Sequence, residues 1–174
     1  VDMDVPYNIY GGMQDNGSWK GPSDVWETGG IRNNAWKEVA FGDGFGTLVD
    51  PEDPDVGYAM SEGGNLMRFD VRTGERKRIR PWAPDSTALR FSWNAALAAD
   101  PYIPGGIYFG SQFVHKSVDR GETWQIISAD LTTNDLAKQR QEQSGGLTTD
   151  ATGAENHTTI LTIAAEEKKR KCRE

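Results

Sequence analysis

The sequence repeats itself with a period of about fifty residues, and this feature constrains the fold more than any other. The dipeptide Asp50-Pro51 recurs as Asp100-Pro101, and Pro54 recurs as Pro104. An apolar run belongs to each unit, and the tyrosines of three such runs are in register, namely Tyr10, Tyr58 and Tyr108. A period of this length, made of short strands and turns, is typical of propeller and solenoid proteins.

Each unit has the pattern of four short strands in the same order. In the second unit, a strand over residues 45–49 is followed by an Asp-Pro turn and by an apolar strand around Tyr58. A third strand over 65–70 leads through a glycine turn to a last strand over 76–79. Four strands per repeat make one propeller blade. The sequence therefore predicts an all-β fold, a β-propeller segment of about three four-stranded blades that is incomplete at both ends.

The blade boundaries follow from this period. We expect residues 1–41 to form the end of a first blade, 42–80 a second blade, 81–130 a third blade, 131–156 an insertion loop, and 157–174 the first strand of a truncated fourth blade with a charged tail. Closed propellers have about 4–8 blades, so we expect this chain to be part of a longer propeller. The alternative is a small open-sheet protein that folds alone, because about three repeats can form a stable array.

The composition argues against several classes of function. The net charge of -7 argues against a nucleic-acid partner. No apolar run approaches the roughly 18 residues of a membrane span. The one cysteine, Cys172, excludes an internal disulfide. The acidic stretch 50–55 lacks the spacing of a calcium-binding loop, so we interpret it as a rigid turn and predict neither a metal site nor a cofactor.

The segment 117–124 has the most specific local motif of the chain. Its defining residues are Ser117, Asp119, Gly121, Thr123 and Trp124. The aspartate can accept hydrogen bonds from the backbone of its own turn, the glycine supplies a positive φ, and the tryptophan packs over the turn. The segment resembles the Asp-box, or bacterial neuraminidase repeat, which lies on the outer rim of propellers. The resemblance implies a structural role for Asp119, not a catalytic one.

Longer stretches extend this resemblance over the chain up to about residue 163. They are residues 7–19, 42–45, 90–94, 108–112 and 127–132. Together they look similar to the large bacterial repeat proteins related to the sortilin ectodomain and to xyloglucanase-type glycosidases. The resemblance implies a propeller and a secreted, periplasmic or cell-envelope location. It does not imply an activity, because many members of this group have none established.

The loop Gln14-Asp15-Asn16 is a candidate ligand-binding site. It follows an apolar strand and places three polar side chains on one turn, while Trp19 nearby offers an aromatic face to a sugar. The alternative, which we favour, is a hairpin turn whose side chains bond to their own backbone.

A second candidate site lies where the first strands of successive blades begin. Asp43 precedes one such strand, and Arg90, Trp93 and Asn94 precede the next. If these residues share one rim, a carboxylate, an aromatic ring and an amide meet there, as a glycan site requires. The alternative reading makes Asp43 a turn residue and Trp93 part of the core.

The insertion breaks the repeat and offers further candidates. Residues 134–143 are helix-forming in composition, and a polar loop follows them. Long insertions on one face of a repeat array often carry binding residues, which here would include Asp150, Glu155 and His157.

Two functions remain open from the sequence. The first is a ligand-binding or structural propeller module for peptides or glycans, because the recognisable motifs are turn and packing motifs. The alternative is a glycoside hydrolase, for which Asp15, Asp43 and Asp150 are the catalytic candidates.

The open ends of such a segment predict an interface. Apolar side chains there would face water in a monomer, namely Tyr7, Ile9 and Tyr10 at one end and Ile160, Leu161 and Ile163 at the other. We therefore expect self-association, or docking onto the remaining blades of a parent chain.

Overall fold

The computed structural model describes residues 1–83, 85–143 and 156–165 of the chain. In these ranges the protein has eleven β-strands, three short 3-10 turns and no α-helix. The 3-10 turns are Asn33–Ala35, Glu62–Gly64 and Gln141–Gln143. The prediction of an all-β fold is confirmed.

The strands form three antiparallel sheets, and each sheet contains consecutive strands of the chain. The first sheet contains β1 (Asn8–Met13), β2 (Gly17–Pro22) and β3 (Lys37–Ala40). The second contains β4 (Gly44–Val49), β5 (Val56–Ser61), β6 (Asn65–Asp70) and β7 (Arg76–Arg78). The third contains β8 (Leu97–Ala99), β9 (Ile107–Gly110), β10 (Val114–Ser117) and β11 (Gln125–Ile126). Within the described ranges the three sheets do not close into a barrel or a propeller.

Three segments differ from the sequence-based expectation. The sequence pattern predicts the first strand of the third unit over residues 91–98, but that strand is only Leu97–Ala99. Phe91 and Ala95 before it are buried in the core and belong to no strand. Residues 157–163 belong to no strand. The helix-forming stretch 134–143 contains only the 3-10 turn Gln141–Gln143. An isolated short helix is unstable in water, and the one large apolar side chain of this stretch, Leu136, is 68% exposed.

The central hairpin of each sheet has the same register. The tyrosine of its first strand lies opposite a basic residue of its second strand, in the pairs Tyr10 and Lys20, Tyr58 and Arg68, and Tyr108 and Lys116. Successive residues of a strand point to opposite faces. The tyrosines at these equivalent positions therefore point to the same side of their sheets, and the residues next to them point to the other side.

The first and second sheets pack through a small apolar cluster. Val39 and Ala40 of β3 contact Ala59 and Phe69 of the second sheet, and Tyr10 packs against them. The rings of Tyr10 and Phe69 are stacked with their centroids 6.2 Å apart. The tyrosine face of the first sheet thus lies against the opposite face of the second.

The second and third sheets repeat this arrangement with larger side chains. Tyr58 and Met60 of β5 share one buried cluster with Ile107 and Phe109 of β9. Phe91 closes the cluster, and its ring lies 5.3 Å from that of Phe109. These side chains are the largest among the fully buried ones, so most of the apolar stabilisation comes from this interface.

A buried aspartate begins the turn before the central hairpin of each sheet. Asp2, Asp50 and Asp100 are each at most 5% exposed. Each carboxylate accepts a hydrogen bond from the backbone N–H two residues later. Each aspartate N–H donates to the carbonyl oxygen six residues later, at distances of 3.3, 2.9 and 2.8 Å. The turns of the three repeats are therefore built alike.

The tyrosine eight residues after this aspartate completes the unit in two sheets. The Tyr10 hydroxyl donates to Asp2 at 3.0 Å, and the Tyr108 hydroxyl donates to Asp100 at 2.8 Å. In the second sheet Arg120 Nε donates to Asp50 at 2.6 Å instead. Burial, and then the charge of this aspartate, raise the pKa of Tyr58 to about 12.

Glycines allow the first and second sheets to approach closely. A Cβ built on Gly12 would overlap the backbone of Gly44 and Phe45 in β4. A Cβ built on Gly11, the neighbouring residue, would meet no atom within 4 Å. The two glycines point to opposite faces of β1, and only Gly12 lies in the interface.

His115 is a buried titratable group in the core of the third sheet. It is 0% exposed, and a hydrogen bond of 2.8 Å joins its Nε2 to Ser111 Oγ. Its Nδ1 has no hydrogen-bond partner among the described residues. Burial disfavours the imidazolium form and lowers the pKa of His115 to about 4.

We expect Gly12→Ala to lower the free energy of unfolding by about 2 kcal/mol, because backbone must move to admit the methyl group. Gly11→Ala is the matched control and should change the stability by less than about 0.5 kcal/mol. Urea unfolding followed by circular dichroism measures both. Equal losses in the two variants would contradict the assigned packing.

We expect His115 to weaken the fold in mild acid. The unfolded chain binds a proton at this group near pH 6.5, whereas the folded chain binds it only near pH 4. Its contribution to stability is therefore fully present above pH 6.5 and decreases by about 3 kcal/mol as the pH falls to 4. His115→Gln should remove this decrease between pH 6.5 and 4, and His157→Gln, at an exposed position, should keep it. An NMR titration midpoint of His115 above pH 6 would contradict this assignment.

Candidate functional site

Two turns from neighbouring sheets meet at one rim of the molecule. The Asp15 N–H donates to Asp43 Oδ1 at 2.8 Å, and the Gly17 N–H donates to the Gly42 carbonyl oxygen at 2.9 Å. Asp15 has a φ of 61°, which aims its N–H at that carboxylate. The structure thus brings together two candidate residues that are 28 positions apart in the sequence.

Asp43 has structural partners on both sides. Its own N–H donates to Glu62 Oε2 at 3.1 Å, while its carboxylate accepts from Asp15. The hydrogen bonds of Asp43 thus join the 14–17 turn to the turn after β5. This arrangement orients the carboxylate and engages one of its two oxygens.

Aromatic contact extends the rim to the third sheet. The rings of Phe45 and Trp93 meet edge to face with their centroids 5.7 Å apart. Asn94, the next residue, is exposed and borders a cavity of about 250 Å³ with Thr47 of β4 and Thr162. Three successive chain segments, β4, residues 94–97 at the start of β8, and residues 161–163, therefore line one recess with polar and aliphatic side chains.

Arg90 does not contribute to this recess. Its guanidinium donates to Asp130 Oδ2 at 2.9 Å, to Thr132 Oγ1 at 3.3 Å and to the Thr158 carbonyl oxygen at 3.3 Å. With its head group so engaged, Arg90 fixes the start of the insertion and the 156–165 segment to the third sheet. The sequence grouped Arg90 with Asp43 on one rim, but the hydrogen-bond partners of its guanidinium lie in the insertion and the 156–165 segment.

The 14–17 loop is held by its own backbone. Asn16 Nδ2 donates to the Gln14 carbonyl oxygen at 2.9 Å, and Trp19 Nε1 donates to the Asn16 carbonyl oxygen at 2.5 Å. Trp19 also lines a cavity of about 570 Å³ on the outer face of the first sheet. Trp36, Ile9 and Met13 line the same cavity, which makes it predominantly apolar.

The 117–124 turn is closed by side-chain hydrogen bonds. Asp119 Oδ1 accepts from the Thr123 N–H at 2.9 Å, and Asp119 Oδ2 accepts from Thr123 Oγ1 at 2.6 Å. Ser117 Oγ accepts from the N–H of Gly121, whose φ is 82°. Trp124 Nε1 donates to the Ile79 carbonyl oxygen at 2.7 Å, so the turn also fastens the third sheet to the second.

Of the candidate residues in and after the insertion, the structure describes only His157. Asp150 and Glu155 lie outside the described residues. His157 is exposed, and its carbonyl oxygen accepts a hydrogen bond from Thr158 Oγ1 at 2.5 Å.

The described carboxylates are arranged as hydrogen-bond acceptors. The pKa of Asp70 falls to about 2, first because the side chain of Arg72 donates to it. Hydrogen bonds from Lys77 and then Arg68 lower the pKa of Glu122. Every resolved shift of a carboxyl pKa in the described ranges is downward. Those ranges also contain no group of three or more acidic, His or Cys side chains that could hold a metal ion.

Two side chains that the sequence did not single out hold the segments leading into β4 and β8. Glu62 Oε2 accepts from the Asp43 N–H, and Gln112 Oε1 accepts from the Arg90 N–H at 2.9 Å. Glu62 and Gln112 are fifty residues apart and follow the same strand of their units, as Gln14 does in the first. The repeat itself was the signal that could have revealed them.

Among the described residues, no helical segment has the length and apolar character needed to cross a membrane. A comparison with protein-family models found no matching family, and a comparison with curated proteins found no matching protein.

Proposed function

We propose that this chain is a β-propeller segment that works as a ligand-binding module for a peptide or a glycan. The observation that carries the proposal is the recess lined by β4, the start of β8 and residues 161–163. Its polar side chains are those of Thr47, Asn94 and Thr162, and its apolar side chains include Met60 and Leu161. Ligand sites of this kind combine an apolar or aromatic surface with a few orienting polar groups.

The stacked sheets support the binding of an extended ligand. The second and third sheets present their first strands, β4 and β8, to the same recess, and residues 161–163 extend it. Strands β4, β5 and β8 all contribute to its lining, and a site on rigid elements loses less conformational entropy on binding. Peptides and oligosaccharides both present repeated groups to such a surface.

A glycoside hydrolase is the second candidate, and its support is the contact between Asp15 and Asp43. Hydrolysis requires one carboxylic acid with a raised pKa and a second carboxylate at a defined separation. Asp43 instead accepts a backbone hydrogen bond from Asp15 and donates its own N–H to Glu62, as a turn residue does. Binding without turnover therefore fits the geometry better.

The proposal predicts ligand-induced changes at the recess. Cellohexaose and an extended decapeptide are the two probes, each titrated into the isotopically labelled chain. We expect one of them to shift the amide NMR signals of residues 43–47, 93–97 and 161–163. Trp93→Ala should weaken that binding by about ten-fold, because the ring of Trp93 packs on Phe45 of β4 and so positions Asn94, the next residue, at the recess.

Trp26→Ala is the matched control, because Trp26 is 100% exposed and borders none of these segments. It should leave the affinity unchanged. If neither probe shifts these signals, or if Trp26→Ala weakens binding as much as Trp93→Ala does, the proposal is wrong. Release of reducing sugar from cellohexaose, lost in Asp43→Asn, would establish the hydrolase instead.

A further inference from the structure

The first sheet has an open position next to β1, and we propose that a second copy of this chain fills it. In this assembly, residues 159–163 of one copy pair with β1 of the next, and the outer face of the first sheet packs on the third sheet. Three independent features of the repeat lead to this arrangement, together with a complementary surface at the other end of the molecule.

The first feature is the strand count. The second and third sheets have four strands, whereas the first has three and ends at β1. In the other sheets an Asp-containing turn follows the first strand, and the first sheet has the same turn. The Asp2 N–H donates to the Asn8 carbonyl oxygen, just as the Asp50 N–H donates to the Val56 carbonyl oxygen in the second sheet. In the described structure the edge of β1 therefore borders a vacant strand position, and such an edge readily accepts another strand.

The second feature is the side chain of Gln14. Its equivalents each accept a backbone N–H from the segment that leads into the first strand of their own sheets. Glu62 accepts from Asp43, next to β4, and Gln112 accepts from Arg90, seven residues before β8. Gln14 is exposed on the first sheet, next to the vacant position. The first sheet thus already carries the group that anchors a first strand.

The third feature is the outer face of the first sheet. The cross-strand pair Gly11 and Trp19 of the first sheet is equivalent to two pairs in the other sheets. These are Ala59 and Met67 in the second sheet, and Phe109 and His115 in the third. Ala59, Phe109 and His115 are each 0% exposed, since the preceding sheet covers that face in both cases.

On the first sheet the same face is uncovered. Ile9 and Met13 are 39% and 50% exposed, and the cavity of about 570 Å³ lies between them and the two tryptophans, Trp19 and Trp36. An apolar surface of this kind on a repeat unit usually marks an interface.

Residues 159–163 are the matching strand. They lie over the third sheet, where the Ile160 N–H donates to the Ser111 carbonyl oxygen at 2.8 Å. A Cβ built on Gly110 would lie 3.1 Å from Ile160 Cβ, just as one built on the equivalent Gly12 would meet β4 of the next sheet. The segment therefore occupies the place of a first strand, yet it belongs to no ladder in the described structure.

The third sheet also offers the matching face. Tyr108 and Lys116 form the cross-strand pair of the third sheet that is equivalent to Tyr10 and Lys20 in the first and to Tyr58 and Arg68 in the second. In the first and second sheets this pair lies on the face that contacts the next sheet. Those earlier basic residues pair with acidic residues of the next sheet, as in Lys20 with Asp55 at 3.5 Å and Arg68 with Glu122 at 2.9 Å.

Among the described residues, Lys116 pairs within its own sheet, with Asp100 at 2.8 Å. A contact between the outer face of the first sheet and this face of the third sheet is head to tail, which generates a ring or an open chain of copies.

The exposure of the end residues agrees with this inference in part. Tyr7, Ile9 and Leu161 are exposed, as the sequence predicted. Tyr10, Ile160 and Ile163 are partly buried instead. Tyr10 packs on Phe69, Ile160 lies on Gly110, and Ile163 lines the recess beside β4.

Sedimentation velocity on the full chain tests the proposal directly. We expect a concentration-dependent increase in sedimentation coefficient between about 1 and 100 µM, the range in which interfaces of modest affinity saturate. Thr162→Pro removes the backbone N–H and blocks ladder formation. Thr162 is exposed, so we expect the variant to fold as the wild type does but to dissociate at about ten-fold higher concentration.

Thr162→Ala keeps the N–H and is the matched control, so it should associate as the wild type does. Ile9→Lys, on the outer face of the first sheet, should also prevent association, and circular dichroism verifies that each variant is folded. A wild type that stays monomeric at about 100 µM overturns the proposal. Association that survives both Thr162→Pro and Ile9→Lys overturns it as well.

Discussion

The buried aspartate at the start of each hairpin turn is the interaction on which the stacked sheets depend. Asp2, Asp50 and Asp100 each hold the backbone of a turn, and the same carboxylates bind a tyrosine hydroxyl or an arginine. An unpaired buried carboxylate would be costly, so each turn needs its partners in place. The aspartate therefore couples local turn geometry to the position of the central strands, and in the second sheet to the third sheet through Arg120.

This coupling explains why one repeat can differ from another without losing the fold. The second sheet exchanges a tyrosine donor for an arginine donor, and the third sheet adds Lys116. The buried side chains also vary in size between sheets. At one equivalent position the second sheet has Ala59 and the third has Phe109. The conserved element within the chain is the turn, and the packing adapts around it. A surface built from such sheets can vary its exposed groups while the strands stay fixed.

The repeat predicted those parts of the fold that depend on local chemistry. Strands β5 and β6 and their tyrosine register follow from turn residues and short-range patterns. Asp2 was missed, although Asp2 and Pro6 have the spacing of Asp50 and Pro54. The bond from Arg90 to Asp130 was not predictable, because 40 residues separate the partners and no periodicity links them. For the candidate site, Asp15 and Asp43 were both catalytic candidates, but the contact of their turns was not predicted. That contact and the roles of Glu62 and Gln112 emerged only from the packing.

The free energy of unfolding of Asp100→Ala measures this dependence most directly. Asp100 is 5% exposed and holds Tyr108, Lys116 and the turn N–H. We predict a loss of about 2–4 kcal/mol, because the substitution removes these bonds and leaves Lys116 without its acidic partner. Asp24→Ala, at an exposed aspartate, should lose less than about 0.5 kcal/mol. Equal and small losses in both variants would contradict the claim that the buried aspartate maintains the stacked sheets.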